Sequence, residues 1–215
     1  MSPTDALDAT QFSVAELRAA VEEAEAAGTY VLAHAYSAAA VRNAVTAGVR
    51  SVEHGNLIDA DSARLLAERG TYLVPTLVTY EALAAEGARH GVPAANIAKI
   101  NEARERGAAA LRLAADAGVR IGSGSDLLGP MQSRKARELT LQADVLGPLG
   151  AIVAATRTNA ELFGLADEVG TVEPGKAADL LVVDGDPLND IALLEDSHRL
   201  ALIVSGGTVV KQTFS

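Results

Sequence analysis

Apolar and polar positions in this chain fall into one unit that recurs four times: a helix-like stretch, a glycine, a short apolar run and a polar residue at its end. The runs are Gly28-Thr29-Tyr30-Val31-Leu32-Ala33-His34, Gly48-Val49-Arg50-Ser51-Val52-Glu53-His54, Gly70-Thr71-Tyr72-Leu73-Val74-Pro75-Thr76, and Gly118-Val119-Arg120-Ile121 leading on to Asp126. Each glycine stands where a helix needs a left-handed closing residue. Each run has the length and β-branched content of a strand buried on both faces. Such units build a parallel sheet whose ligands gather at the carboxyl ends of its strands, so the fold class is α/β.

Ser13, with Glu16 three residues later, forms a capping box that opens a helix over 14–27. Helices are predicted over 37–47 and 60–69, each closed by its glycine, and an alanine-rich one over 94–117. The segment 76–93 reads as a loop with a short helix, long enough to lie over a site. Helices over 134–146, 150–156 and 158–163 come next. From Gly170 the period turns strand-like. Pro174-Gly175 separates Val169–Val172 from Leu180–Val183 as a predicted hairpin, and Gly206-Gly207 separates Leu200–Val204 from Thr208–Val210 as another. The chain thus divides into an αβ body, 1–165, and a small β unit, 166–215.

Composition narrows the partners. A formal net charge of −10 over 215 residues argues against nucleic acid or an anionic membrane surface. No uninterrupted apolar run approaches the length of a membrane span. Without cysteine there is neither disulfide nor thiolate metal site. Met1-Ser2-Pro3-Thr4-Asp5 has no basic region and no apolar stretch, so no secretory signal is read and a cytoplasmic location is expected.

His34 and His54 each fall six residues after their glycine, and this shared register places two imidazoles side by side at one rim. Taken alone, a histidine at a strand end is more often a hydrogen-bonded core residue, and Asp126 alone reads as a cap or turn aspartate. Together the three suit a zinc, manganese or similar divalent ion. Glu53, one residue before His54, is expected on the opposite face, paired with a neighbour. His90 and His198 read as solvated, as does the Arg134-Lys135-Ala136-Arg137 cluster. The glycines around Ser123 read as close packing at a strand end, since no Lys-Ser/Thr pair comes after them.

Four segments, Val31-Leu32-Ala33-His34-Ala35-Tyr36, Ser51-Val52-Glu53-His54-Gly55-Asn56, Gly124-Ser125-Asp126-Leu127-Leu128-Gly129 and Val172-Glu173-Pro174-Gly175-Lys176-Ala177-Ala178-Asp179-Leu180, resemble the amidohydrolase superfamily, closest to its imidazolonepropionase-related and Xaa-Pro-dipeptidase-like branch. The resemblance implies a TIM-type (β/α)₈ barrel with a small β-sandwich domain and a centre of one or two metal ions, usually zinc. By that resemblance His34 and His54 are the metal ligands of strands five and six. Asp126 is the strand-eight aspartate that binds metal and carries the catalytic proton. Tyr36 takes the position that holds the substrate carboxylate, and Pro75, Thr76 and Tyr80 line the pocket from strand seven. The usual Gly-Thr-Asp is Gly-Ser-Asp here.

Family members run to about twice this length, with a His-x-His pair and commonly a carboxylated lysine in their first half. No His-x-His occurs here, so the chain resembles the second half of the fold: strands five to eight and the end of the small domain. The segment Ser2-Pro3-Thr4-Asp5 is similar to the stretch just after the lysine's strand in the family, which makes Met1 an internal methionine of a longer ancestor. Two functions stay open. One is metal-dependent hydrolysis of a C–N bond in a small amide or dipeptide-like substrate. The other is a catalytically silent half-barrel that assembles with a second copy or with a separate N-terminal half.

Overall fold

The computed structural model describes residues 6–214, so the segment Met1-Ser2-Pro3-Thr4-Asp5 lies outside the described residues. Helix α1, Val14–Ala26, opens on the expected capping box: the Ser13 hydroxyl accepts from the Glu16 N–H, and the Glu16 carboxylate accepts from the Ser13 N–H at 2.8 Å. Then come β1 (Leu32–Ser37), α2 (Ala38–Ala47), β2 (Ser51–Leu57), α3 (Ala60–Arg69) and β3 (Tyr72–Val74). The strands form a parallel sheet in the order β1-β2-β3. Gly48 and Gly70 close α2 and α3 at φ 100° and 64°, the left-handed conformation open to glycine at little cost. The expected fourth strand shrinks to one parallel bridge, Leu73 to Ile121, because Gly122 and the residues after it turn away to form a loop.

One face of this sheet carries the core. Ala35, Val52, Leu73 and Ile121 pack against Val41, Val45, Leu66 and Leu111 from the flanking helices, including α5 (Ala94–Asp116). The other face is covered at Ser51 of β2 and at β3, where Tyr72 and Val74 meet Leu162 of α7, Asn159–Phe163. At β1 it is open: Leu32 is 50% exposed and His34 is exposed as well. Burial on both faces therefore fails for β1, and that open face is where the site lies.

The segment expected to be a loop with a short helix holds a ten-residue one, α4 (Leu77–Glu86), with Leu77, Val78, Thr79, Tyr80 and Ala82 buried. Helix α6, Arg137–Val153, breaks at Gly147 (φ 72°, ψ 162°), ahead of Pro148, and passes through a π-turn, Ala154–Thr158, into α7. By length and composition alone the run Arg137–Phe163 is long and apolar enough to cross a membrane, contrary to the reading of short apolar runs. The helix breaks at Gly147, and of α6 only Glu138, Gln142 and Ala151 are buried. Arg134 and Arg137 are not free in solvent. They pair with Glu81, Glu86 and Glu195.

In the tail, β4 (Leu180–Val183), β5 (Leu200–Ser205) and β6 (Thr208–Gln212) form an antiparallel sheet in that order. The β5–β6 hairpin is as expected. The hairpin at Pro174-Gly175 is not: a turn forms there, but 169–173 builds no strand. The Ala177 N–H instead donates to the Glu168 carbonyl at 2.9 Å, and β4 takes β5 as its partner.

Gly122 and Gly124 are required by packing, as their spacing implied. A Cβ at Gly122 would stand 2.7 Å from Asn159 Oδ1, and one at Gly124 would stand 2.9 Å from Val74 Cγ1. Gly122→Ala should lower stability by about 1–3 kcal/mol in urea unfolding, with an unchanged m-value. A loss under about 0.5 kcal/mol would mean that the Asn159 clamp yields easily.

Candidate active site

The sheet register corrects how the imidazoles meet. Parallel pairing sets His34 opposite Glu53 and Ala35 opposite His54, because the connection Gly28–Val31 is one residue longer than its counterpart. Glu53 therefore lies on the same face as His34, not the opposite one. Its neighbour is Ser51, whose hydroxyl donates to Glu53 Oε1 at 2.6 Å. Burial pushes the Glu53 carboxyl up, partly offset by the Ser51 hydroxyl and the His34 charge, while the Asp126 charge adds to the rise. The glycine-to-histidine spacing, taken as strand register, puts this residue on the wrong face. Counting back from the strand pairing would have found it.

His54 reaches His34 by a backbone turn. It sits at φ 78°, followed by Gly55 at φ 61°, and these two left-handed residues swing the ring off its strand alternation. His54 Nε2 lies 2.9 Å from His34 Nδ1, and His54 Nδ1 lies 2.7 Å from the Thr76 hydroxyl. In a neutral ring one nitrogen donates and the other accepts, so Thr76 and His34 take opposite roles toward His54. Burial drives the His54 pKa down to about 3, with the His34 charge acting in the same direction. His54 is 4% exposed, fixed and uncharged, whereas His34 faces solvent.

Aromatic rings frame the pair. Tyr36 stacks on His54 at 4.9 Å, and Tyr80 meets both rings edge-on, at 5.9 Å from His54 and 6.4 Å from Tyr36. Burial raises the Tyr36 phenol above its usual range and raises Tyr80 far more, so both stay protonated donors. The buried Tyr80 hydroxyl finds no partner of hydrogen-bond geometry, although the Tyr36 and Thr76 hydroxyls act on it electrostatically. Pro75 and Thr76 are buried at the end of β3.

Asp126 lines the same cavity of about 640 Å³ as His34, Tyr36 and His54. Its loop is pinned twice. The Thr79 hydroxyl donates to the Asp126 carbonyl at 3.0 Å, and the Asn159 side chain pairs with both backbone groups of Ser123, accepting at 3.0 Å and donating at 2.8 Å. The structure therefore brings the two imidazoles into contact and sets Asp126 on the wall they share. Among the described residues, no group of three or more His, Asp or Glu side chains stands close enough together to hold a metal ion.

His54, Thr76 and Asp126 all adopt left-handed backbone, at φ 78°, 48° and 46°. Such conformations cost about 1–3 kcal/mol each for non-glycine residues and persist where function holds them. They end three successive strand units at one rim.

Parallel αβ units thus bring two histidines and an aspartate to the carboxyl edge of the sheet. Residues 4–210 match the Amidohydrolase family, and the chain belongs to it. It is similar to a prolidase whose crystal structure holds N-methylphosphonate-L-proline, with 46% identity, a TM-score of 0.95, and 99% of this chain but 52% of that one covered. A Xaa-Pro dipeptidase with bound methionine gives 31% identity and a TM-score of 0.84, over 94% of this chain and 49% of the other. Ochratoxinase of Aspergillus niger is 29% identical over 212 residues, 98% of this chain and 44% of the relative. The chain spans about half the length of the relatives it matches.

Proposed function

We propose that this chain carries the C-terminal half of the active site of a metal-dependent amidohydrolase that cleaves the C–N bond of a small N-acyl or Xaa-Pro-type substrate. The observation that carries this reading is the His34–His54 pair: two imidazole nitrogens 2.9 Å apart, one ring buried and neutral, at a cavity that Asp126 also lines. Both rings would offer a nitrogen to one divalent ion at this cavity once the hydrogen bond between them is released. Two donors do not complete a site. The rest would come from residues beyond these, corresponding to the other half of the relatives, in the same chain or a separate one.

A bound zinc or similar ion supplies acidified water and a polarised carbonyl. The chain's own residues do the rest. His54 presents Nε2 because Thr76 fixes Nδ1. Asp126 accepts a proton and returns it to the departing nitrogen. The protonated Tyr36 phenol donates to the substrate carboxylate, and Tyr80 supports that ring edge-on. In this reading the parallel sheet is strands five to eight of a (β/α)₈ barrel and 166–215 is the end of the small β domain. The direct test is zinc titration of the assembly that supplies the remaining donors, then assay on Xaa-Pro dipeptides and N-acyl amino acids. His54→Ala should weaken zinc binding by more than the 10–100-fold typical of losing a mere supporting group. Undiminished zinc binding or hydrolysis in that variant would remove the assignment.

The open face of β1, with Leu32 50% exposed, favours a second reading in which this chain is an assembly module. Co-expression with a His-x-His-bearing N-terminal half, or sedimentation for a second copy, separates the two. Activity in the isolated chain excludes the module alone.

A further inference from the structure

We infer that Glu138 is a positioning residue of this site: its buried carboxylate caps the first turn of α4 and, through Thr76 and Thr79 of that turn, holds the His54 ring and the Asp126 loop in place. The inference rests on the proposed reading of His54 and Asp126 as site residues. The first N–H groups of a helix need partners from outside it, commonly the N-cap side chain. Thr76 is the N-cap of α4 but makes no side-chain cap, because its hydroxyl is committed to His54 Nδ1. The cap comes instead from α6, sixty residues on: Glu138 Oε2 accepts from the Val78 N–H at 2.7 Å, and the Leu77 N–H donates to the same carboxylate. Glu138 is 2% exposed.

The other carboxylate oxygen extends the tie. Gln142 Nε2 donates to Glu138 Oε1 at 3.0 Å and to the Gly122 carbonyl at 3.3 Å, and Gly122 begins the loop that ends in Asp126. Thr79, in the same first turn, donates to the Asp126 carbonyl. One turn of α4 therefore grips both halves of the site by two threonine hydroxyls, and one carboxylate fixes that turn from below. A carboxylate at a helix N-terminus is favoured by the helix dipole. Burying one nevertheless costs free energy, and the Glu138 carboxyl is pushed up to about 7 by that burial. A cap serving α4 alone needs no carboxylate from a distant helix. A cap that releases the Thr76 hydroxyl for His54 does.

The test reads the His54 ring directly, by ¹⁵N NMR of the metal-free protein at constant pH. In the native protein His54 should show one tautomer, with two well-separated ring nitrogen signals. Glu138→Ala should draw them toward a common value, with the fold retained by circular dichroism, and Thr76→Val should do the same. Glu138→Gln, which keeps an acceptor for the Val78 N–H, should restore the native pattern. Ser13→Ala, which removes the cap of α1 and whose hydrogen bonds run to Glu16, should leave the ring unmoved. A folded Glu138→Ala protein with native His54 signals overturns the inference, and so does an equal response to Ser13→Ala. Should Glu138→Ala fail to fold, Glu138→Asp, which retracts the carboxylate by one methylene, takes its place with the same expected and opposing results. The readout needs no metal. Failure of zinc to bind to the assembly that supplies the remaining donors would sink the reading of the site and leave the tie standing, whereas an unmoved ring sinks the tie alone.

Discussion

Asp126→Asn should lower kcat for amide hydrolysis by about 10²–10⁴-fold, the span typical of losing a positioned proton carrier, with KM changed only a few-fold. The substitution is clean on structural grounds. Asparagine tolerates left-handed backbone, so φ 46° is kept, and the Thr79 tie runs to the residue 126 carbonyl, which survives. What is lost is the basic oxygen that takes and returns the proton. Steady-state kinetics on whichever assembly hydrolyses the substrate, alone or complemented, decides the matter. A variant within threefold of the native kcat would reassign the proton to another group, and Glu53, on the same face as His34, is the next to test.

The second large effect is on stability in acid. His54 has its pKa driven from 6.5 to about 3 in the folded chain, mainly by burial. An unfolded chain takes up that proton more readily, so the contribution is fully present above pH 6.5 and is lost as pH falls toward 3. At about 1.4 kcal/mol per pH unit, the loss is on the order of 5 kcal/mol across that window. Glu138 acts in the opposite sense. With its carboxyl raised from 4.5 to about 7, its contribution is greatest below pH 4.5 and declines as pH rises to 7. The clean measurement is therefore the difference between the native protein and His54→Asn in urea unfolding from pH 7.5 to 4. The gap between them should close steadily as pH falls. A gap independent of pH would mean that His54 is not held neutral by the fold.

The elements that announce themselves locally were legible in the sequence. The Ser13–Glu16 box and the closing glycines at 48 and 70 act within one helical turn, and the structure places the helix ends where they indicate. What was illegible depends on partners far along the chain. Helix α4 carries no start signal because its cap is Glu138 and its own N-cap hydroxyl serves His54. The face occupied by Glu53 depends on a one-residue difference between two connections, which only the strand pairing exposes. The run before Pro174-Gly175 has strand composition, yet β4 finds its ladder in β5 instead. Of the candidate site, the residue types and their gathering at one rim were readable, and so was the close packing at Gly122 and Gly124. The route by which His54 meets His34 was not, since a histidine at φ 78° is a conformation that sequence pattern does not forecast.

The three left-handed residues at the rim also bear on engineering. His54, Thr76 and Asp126 are positions where a search for thermostable variants would favour glycine, since relieving each backbone would gain roughly 1 kcal/mol. Every such gain would delete an imidazole, the hydroxyl that orients it, or the proton carrier. Variants selected for heat resistance alone should therefore accumulate glycine here and turn over nothing, while selection for turnover should keep the strain and find its stabilising changes elsewhere, on α1 or the exposed faces of β4–β6.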